Sequence, residues 1–502
     1  MQFFPTPARL ALAVSACIAG TAQANAIPPE LEELLSGKNY IIQWDGESIA
    51  DVTVSGNSGS GEHSGQTDNT LTATYLPLDP AQVPAEYRSL PPGSLSRIQL
   101  PMGFMGMELG GKFVIDLPSG RYEFTKDNEY PHPGGMTWVG KLSEDDSFRM
   151  MVTSGENGTM TGSIKTPDGE YLLEAYEGET WMLDASRAGL QQPAFPPDAF
   201  SVGGGIMADA TGEGGAYQTD PPPAMPLSGV SQDGSHAGSG ARPSYAGAVA
   251  TTGSASSTTT TVTATAATNT VDVLVLYTQN FASKVGATTR INYLFAVANQ
   301  AYKDSGVPVR LRPVFTQKTS FPETSLNEQA LQNMTFGWAA FTGSNIKTLR
   351  DKYGADLVTL LRPFRYAQQA SCGTSWITQF GTPSTYGYSV VSDGTDGMYY
   401  CHDLSFVHEI GHNLGQTHER ANAGGGMGYH AYSYGWGVDG LFGTVMSYIN
   451  PKVGKFAGPK LTCPGNRPCG YPETDRYRAS DQVKSMSLVA PIVAKFKPTL
   501  VK

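Results

Sequence analysis

The run HEIGHNLGQTHER at residues 408–420 constrains this chain more than any other stretch, and it holds three of the eight histidines. On a helix, residues i and i+4 share a face, so His408 and His412 project together. Glu409 sits beside them without being forced onto the same ion. Two imidazoles and a glutamate at this spacing suit a metal ion and a general base. A catalytic zinc ion takes three protein ligands and keeps one open position. Gly415 can adopt a positive φ and end the helix sharply. That turn brings His418 back to the same point. The pattern HExxHxxGxxH thus predicts one Zn2+ held by His408, His412 and His418, with Glu409 as base. His402 and His430 lack such spacing and read as structural or surface residues.

The rest of the chain must supply a frame for that helix. At 502 residues it is long enough for two or more domains. Residues 1–26 read as a signal peptide, with Arg9 as basic flank, a short apolar core from Leu10 and a small-residue cleavage site near Ala24 or Ala26. Secretion to the periplasm or medium is the expectation; a lipoprotein box ending at Cys17 is the lesser alternative. No later stretch is apolar enough for a transmembrane segment. The other four cysteines, Cys372, Cys401, Cys463 and Cys469, allow three pairings. Cys372–Cys401 with Cys463–Cys469 is favoured, because the second pair closes a tight Pro/Gly loop. Export makes disulfides the expected state.

Charge divides the chain. Residues 1–267 carry 12 Lys/Arg against 30 Asp/Glu, a net −18, whereas residues 268–502 carry 22 against 15, a net +7. No dense basic run with interleaved aromatics occurs, which argues against a nucleic-acid partner. An acidic segment docking on a basic one fits the split.

Residues 27–198 read as a β-rich domain. KFVIDL, RYEF, MTWVGKL, FRMMVT, MTGSI and EYLLEA are strand-like runs separated by PSG, GENG and TPDG turns. Residues 199–267 are Gly, Ser, Ala, Thr and Pro, a low-complexity linker that cannot bury enough apolar surface to offset its ordering entropy. Residues 268–502 read as α/β. TVDVLVLYT, VPVRLRPVF, ADLVTLLRP, CGTSWIT and YGYSVVS are strand candidates. Ile291, Leu294, Phe295, Ala298 and Tyr302 share one helix face, and Gly306 stops that helix. Residues 326–349 hold further helical material. Asp403 is the expected N-cap of the motif helix.

HEIGHNLGQTH, together with GTVMSY at 443–448, resembles the metzincin zinc endopeptidases. ADLVTLLRP, ASCGTSW, the cysteine before the motif helix and YHAYSYGWG resemble their reprolysin-like bacterial members, in particular the peptidyl-Asp metalloendopeptidases. TWVG and GSIKTPDGEYLLE resemble the pro-region of that group. The resemblance implies an α/β (α+β) catalytic domain at 268–502 with a mainly five-stranded sheet and an active-site helix, preceded by a β-rich pro-domain. It implies a Met-turn with Met446 beneath the metal. It also implies peptide or protein substrates lying extended against CGTSWIT, and an acid preference next to the cut. Glu419 and Tyr448 depart from the reprolysin pattern and look like astacins. Glu419 has two readings, a charged residue orienting its neighbours or bridging to Arg420, or a receptor for the mature N-terminus. Tyr448 is either a metal-side hydroxyl or packing.

In this reading Glu409 takes the proton of a metal-bound water and passes it to the leaving amine. The chain's own pro-domain is expected to act as an intramolecular inhibitor. Residues 27–371 contain no cysteine, so a thiolate on the metal is impossible, and a carboxylate or His132 is the candidate blocker. The alternative is a binding or adhesion protein on an inactive metalloprotease fold.

Overall fold

The computed structural model describes residues 41–42, 54–55, 70–193, 198–201, 268–337, 345–369, 371–424 and 426–501. The expected signal peptide and nearly all of the expected linker, residues 202–267, lie outside them. The unit ending at Asp68 shows one antiparallel pairing, Ile41–Ile42 with Val54–Ser55. The second unit, Asn69–Lys502, carries everything that follows.

Its first part is a closed nine-stranded barrel. The strands are β1 (Thr70–Pro77), β2 (Leu95–Ile98), β3 (Lys112–Leu117), β4 (Gly120–His132), β5 (Gly135–Leu142), β6 (Arg149–Ser154), β7 (Met160–Thr166), β8 (Gly169–Tyr176) and β9 (Glu179–Asp184). The order is β8–β9–β2–β1–β3–β4–β5–β6–β7, closing on β8. All neighbours are antiparallel except β1 and β3. Alternation sends Phe113, Phe124, Trp138, Met150, Ile164, Tyr171, Leu173 and Met182 into one buried interior cluster. Closure leaves the barrel no edge to protect.

The second part is a mixed α/β layer. Its strands are β10 (Ala199–Ser201), β11 (Asn269–Tyr277), β12 (Val309–Lys318), β13 (Leu357–Pro363), β14 (Gly373–Ile377), β15 (Tyr388–Asp396) and β16 (Tyr399–Cys401). The order is β10–β14–β15–β13–β11–β12, with β16 paired to β15. The sheet therefore has seven strands where five were expected. The two extra strands span three residues each, too short for a period-two pattern to reveal. Helices α1 (Ala287–Asp304), α2 (Asn327–Phe336), α3 (Ile346–Tyr353), α4 (Ser405–Asn413) and α5 (Gln482–Val493) complete the part that matters here. Among the described residues no helix is long and apolar enough to cross a membrane.

Helix α1 explains how the two parts meet. One apolar face was expected, yet Thr289, Tyr293, Ala296, Val297, Gln300 and Ala301 are buried as well. The barrel covers the face that the sheet does not, and Val139 and Met151 of the barrel join the α1 core. Much of this contact is polar. Ser163 meets the Tyr293 hydroxyl at 2.8 Å, Asn128 donates to Gln300 at 2.8 Å, and Arg149 chelates Asp304 at 2.5 and 2.6 Å. Asp146 pairs with Lys455 at 2.8 Å, and His402 is buried against Glu170 and Lys165 of the barrel. The barrel thus contributes both signs of charge, so the −18/+7 split is not mirrored pair by pair.

Arg290 is the ionic hub of this region. It binds Asp393 at 2.7 and 2.9 Å and Asp403 at 2.6 Å, with its side chain 11% exposed. Tyr293 adds a hydroxyl to Asp403 at 2.6 Å. Burial works against the charge of Asp403, but Arg290 prevails and holds the carboxyl below its ordinary range. This engagement corrects the expected helix cap: Asp403 faces α1, and α4 starts after Leu404 with no side-chain cap. Arg290→Met should leave two buried carboxylates facing each other and cost about 3–5 kcal/mol. A urea titration checks this; a midpoint equal to wild type contradicts it.

Candidate metal centre

Helix α4 carries His408 and His412 on one face, with ring centroids 4.9 Å apart. The first ring's Nδ1 lies 2.9 Å from the carbonyl of Val445, and the second's Nδ1 lies 2.8 Å from that of Gln416. A carbonyl only accepts, so both rings carry their proton on Nδ1 and turn an Nε2 lone pair inward. Burial lowers the proton affinity of both rings, that of His412 to about 4, so they stay neutral. Gly415 adopts φ 79°. Its amide bonds back to the His412 carbonyl, and the chain reverses. His418 then brings its Nε2 to 3.2 Å from that of His408.

A fourth group converges there. Asp198 Oδ1 lies 2.8 Å from His418 Nε2, and its two oxygens lie 3.6 Å from His408 and His412. The four potential ligand atoms are all within 4.8 Å of one another, and all four residues are buried. Imidazole lone pairs and a carboxylate gathered in a dry pocket repel each other unless a cation sits between them. The donor set therefore fits a metal ion, and its nitrogen and oxygen chemistry suits zinc.

Asp198 is held by backbone. Its carbonyl accepts from Ser375 N at 2.8 Å and from Thr374 Oγ1 at 2.9 Å. The next three residues form β10, which runs parallel to the edge strand β14 in the register Ala199–Ser375, Phe200–Trp376 and Ser201–Ile377. The edge expected to receive a peptide is thus occupied by the chain's own segment. His132, the other candidate blocker, is elsewhere: its Nδ1 lies 3.0 Å from Asn292 on α1.

Glu409 is 1% exposed, and its Oε2 accepts from Ser375 Oγ at 2.5 Å. Burial first, and the Asp198 charge second, push its carboxyl well up. Met446 is fully buried under α4. A Cβ at Gly411 would stand 2.4 Å from its sulfur, so glycine inside HEIGH is what lets Met446 approach. The Tyr448 hydroxyl is 3.0 Å from His418 Nε2. Glu419 accepts the Tyr448 amide at 3.0 Å and also bonds Asn422, so it ties the segment after Met446 to the end of the histidine run. Arg420 does not join it; that guanidinium binds the carbonyls of Ala431 and Ala479. Disulfides link Cys372 to Cys401 and Cys463 to Cys469. The first ties β14 to the residues just before α4. His430 sits apart, with its Nδ1 3.0 Å from Ser485. Asp198, Ser375 and Lys452, which lines the cleft beside Tyr448, were not singled out from the sequence.

Residues 248–472 match the model of the metallo-peptidase family M12B, reprolysin-like, which supports a reprolysin-like metalloprotease. Residues 95–188 match the BamI lipocalin-like domain. A peptidyl-Asp metalloendopeptidase of Pseudomonas aeruginosa is 30% identical over 274 residues, which is 46% of this chain and 41% of that protein. The chain therefore spans about two fifths of that relative. Among solved structures, metalloproteinase-II from Bacteroides fragilis covers 61% of this chain and 81% of its own at 11% identity and a TM-score of 0.34. A chaperone-substrate complex covers 46% of this chain and 39% of its own at 20% identity and a TM-score of 0.37. Neither structural likeness is close enough to carry an argument.

If the three histidines are the ligands, His412→Ala should weaken metal binding beyond the roughly 10–100-fold that losing an outer partner costs. Metal content after dialysis against a graded chelator measures this. Retention equal to wild type would contradict the assignment.

Proposed function

We propose that this chain is a secreted zinc endopeptidase made in a latent form, with the barrel and the segment through Ser201 as its built-in inhibitor. The observation that carries this reading is Asp198, inserted among three inward-facing imidazoles while β10 fills the β14 edge. A bound zinc ion would acidify a water and polarise a peptide carbonyl. His408, His412 and His418 would hold that ion, and Asp198 would occupy the position that water needs.

With Asp198 withdrawn, the chain's own groups complete the site. Glu409 takes a proton from the attacking water and delivers it to the leaving amine. Its neighbour Ser375 orients the carboxylate through the hydroxyl contact. The Tyr448 hydroxyl, next to His418, donates to the developing oxyanion. The freed β14 edge offers main-chain groups to an extended substrate. A cut between residues 202 and 267 would separate the inhibitor, and the polar contact between barrel and α1 suits a body meant to leave. The relative's name adds a preference for aspartate at the cut.

Casein hydrolysis by full-length variants tests both halves. Glu409→Ala should lower the rate by about 10²–10⁴-fold while metal content stays level. Asp198→Ala should raise the rate of the uncut chain by at least about tenfold, because the competent state is no longer the minor one. Activity that survives Glu409→Ala rejects the base; an uncut Asp198→Ala chain no faster than wild type rejects the latch.

A further inference from the structure

A narrow cleft adjoins the histidine cluster, lined by Leu404, Ser405, His408, Val445, Tyr448 and Lys452, with Asp198 and Glu409 at its metal end. Lys452 is the one lysine or arginine among its lining residues. It lies four residues beyond Tyr448, on the strand of chain that follows Met446. Its ammonium sits 5.9 Å from the centroid of the Tyr448 ring, which also lies 4.3 Å from the His418 ring and 6.0 Å from the His408 ring between centroids. One aromatic ring therefore separates this cation from a residue of the metal cluster.

Three other basic groups of the catalytic half are committed elsewhere. Lys455 binds Asp146 and the Thr462 carbonyl, Arg362 is bonded to Ser325 and Asn327, and Arg420 is bonded to Ala431 and Ala479. Among the described residues, the Lys452 side chain has neither an ion pair nor a hydrogen bond. A partly buried ammonium without a carboxylate is costly, and burial pulls its proton affinity down to about 8 against the supporting charges of Glu419 and Asp198. Those two carboxylates have other duties. Glu419 holds the Tyr448 amide and Asn422, and Asp198 belongs to the segment that must leave. Once that segment is gone, the cleft presents a single positive charge beside the metal and lacks its nearest mobile anion.

We propose that Lys452 selects the substrate: its ammonium receives the side-chain carboxylate of an aspartate or glutamate adjoining the scissile bond. This rests on the endopeptidase reading above and adds the residue that discriminates. The latch fits the same logic, since the group now lodged at the metal end of this cleft is itself an aspartate. A charge pair in a half-dry cleft discriminates well, because the neutral amide analogue leaves the ammonium unpaired.

The test uses two peptides identical except for Asp or Asn next to the cut, and full-length wild-type, Lys452→Met and Lys452→Arg chains, each in whatever form hydrolyses casein. Wild type should prefer the Asp peptide in kcat/KM by at least about tenfold. Lys452→Met should bring that ratio close to one, and Lys452→Arg should keep it within a few-fold. In wild type the preference should shrink toward about 1 M salt, where charge pairs are screened. A ratio retained in Lys452→Met, or a wild type that cuts both peptides equally, overturns the proposal while leaving the endopeptidase intact. If Lys452→Met does not fold, the salt series decides, and a constant preference overturns the proposal. A wild-type chain with no casein-hydrolysing form rejects the endopeptidase reading and this proposal with it.

Discussion

Three imidazole nitrogens and one carboxylate crowd a single buried point, a donor set that fits a cation. Everything nearby keeps those four groups aimed inward. Carbonyls of Val445 and Gln416 set the tautomers of His408 and His412. The break at Gly415 returns His418, and Glu419 ties that return to the amide of Tyr448. Gly411 admits Met446 beneath the helix. Such contacts orient the candidate ligands, the usual job of the shell around a metal site.

Asp198 differs from the histidines in how it is held. They come from one continuous run on and after α4, whereas it arrives on a three-residue strand added to the edge of the sheet. Its position depends on its carbonyl, which accepts from Thr374 Oγ1 and Ser375 N, and on the pairing of β10. Ser375 also bonds Glu409, so one residue of β14 senses both the carboxylate at the metal point and the candidate base. Removing β10 would therefore vacate the place of Asp198 among the histidines and the β14 edge together. The barrel, docked on α1 through mixed apolar and polar contacts, anchors the chain just upstream of that strand.

The parts that were legible in the sequence are those whose signal is local. HExxHxxGxxH places two side chains by helical period and a third by a glycine turn, and the structure brings all three together. The β-branched runs between Lys112 and Tyr176 likewise announce strands, though not that they close into a barrel. What was not legible depends on distant partners. Asp403 looks like a helix cap until Arg290 and Tyr293 claim it. Gln300 lies off the expected apolar face of α1, yet Asn128 and Tyr130 of the barrel cover it. Asp198 follows two prolines at the border of a low-complexity stretch, with no periodic pattern to mark β10. Residues 27–371 hold no cysteine, and of the groups expected near the histidines a carboxylate, Asp198, lies among them while His132 lies against Asn292.

The most direct test of the four-group centre is the visible spectrum of the cobalt-substituted full-length chain as pH is varied. Metal-bound water loses a proton near neutral pH, and the spectrum of a water-bearing site changes with it. With Asp198 in place of that water, the wild-type spectrum should stay constant from about pH 6 to 9, and Asp198→Ala should gain a titration in that range. A wild-type spectrum that titrates just as the variant does would contradict Asp198 as the fourth ligand, and with it the latch.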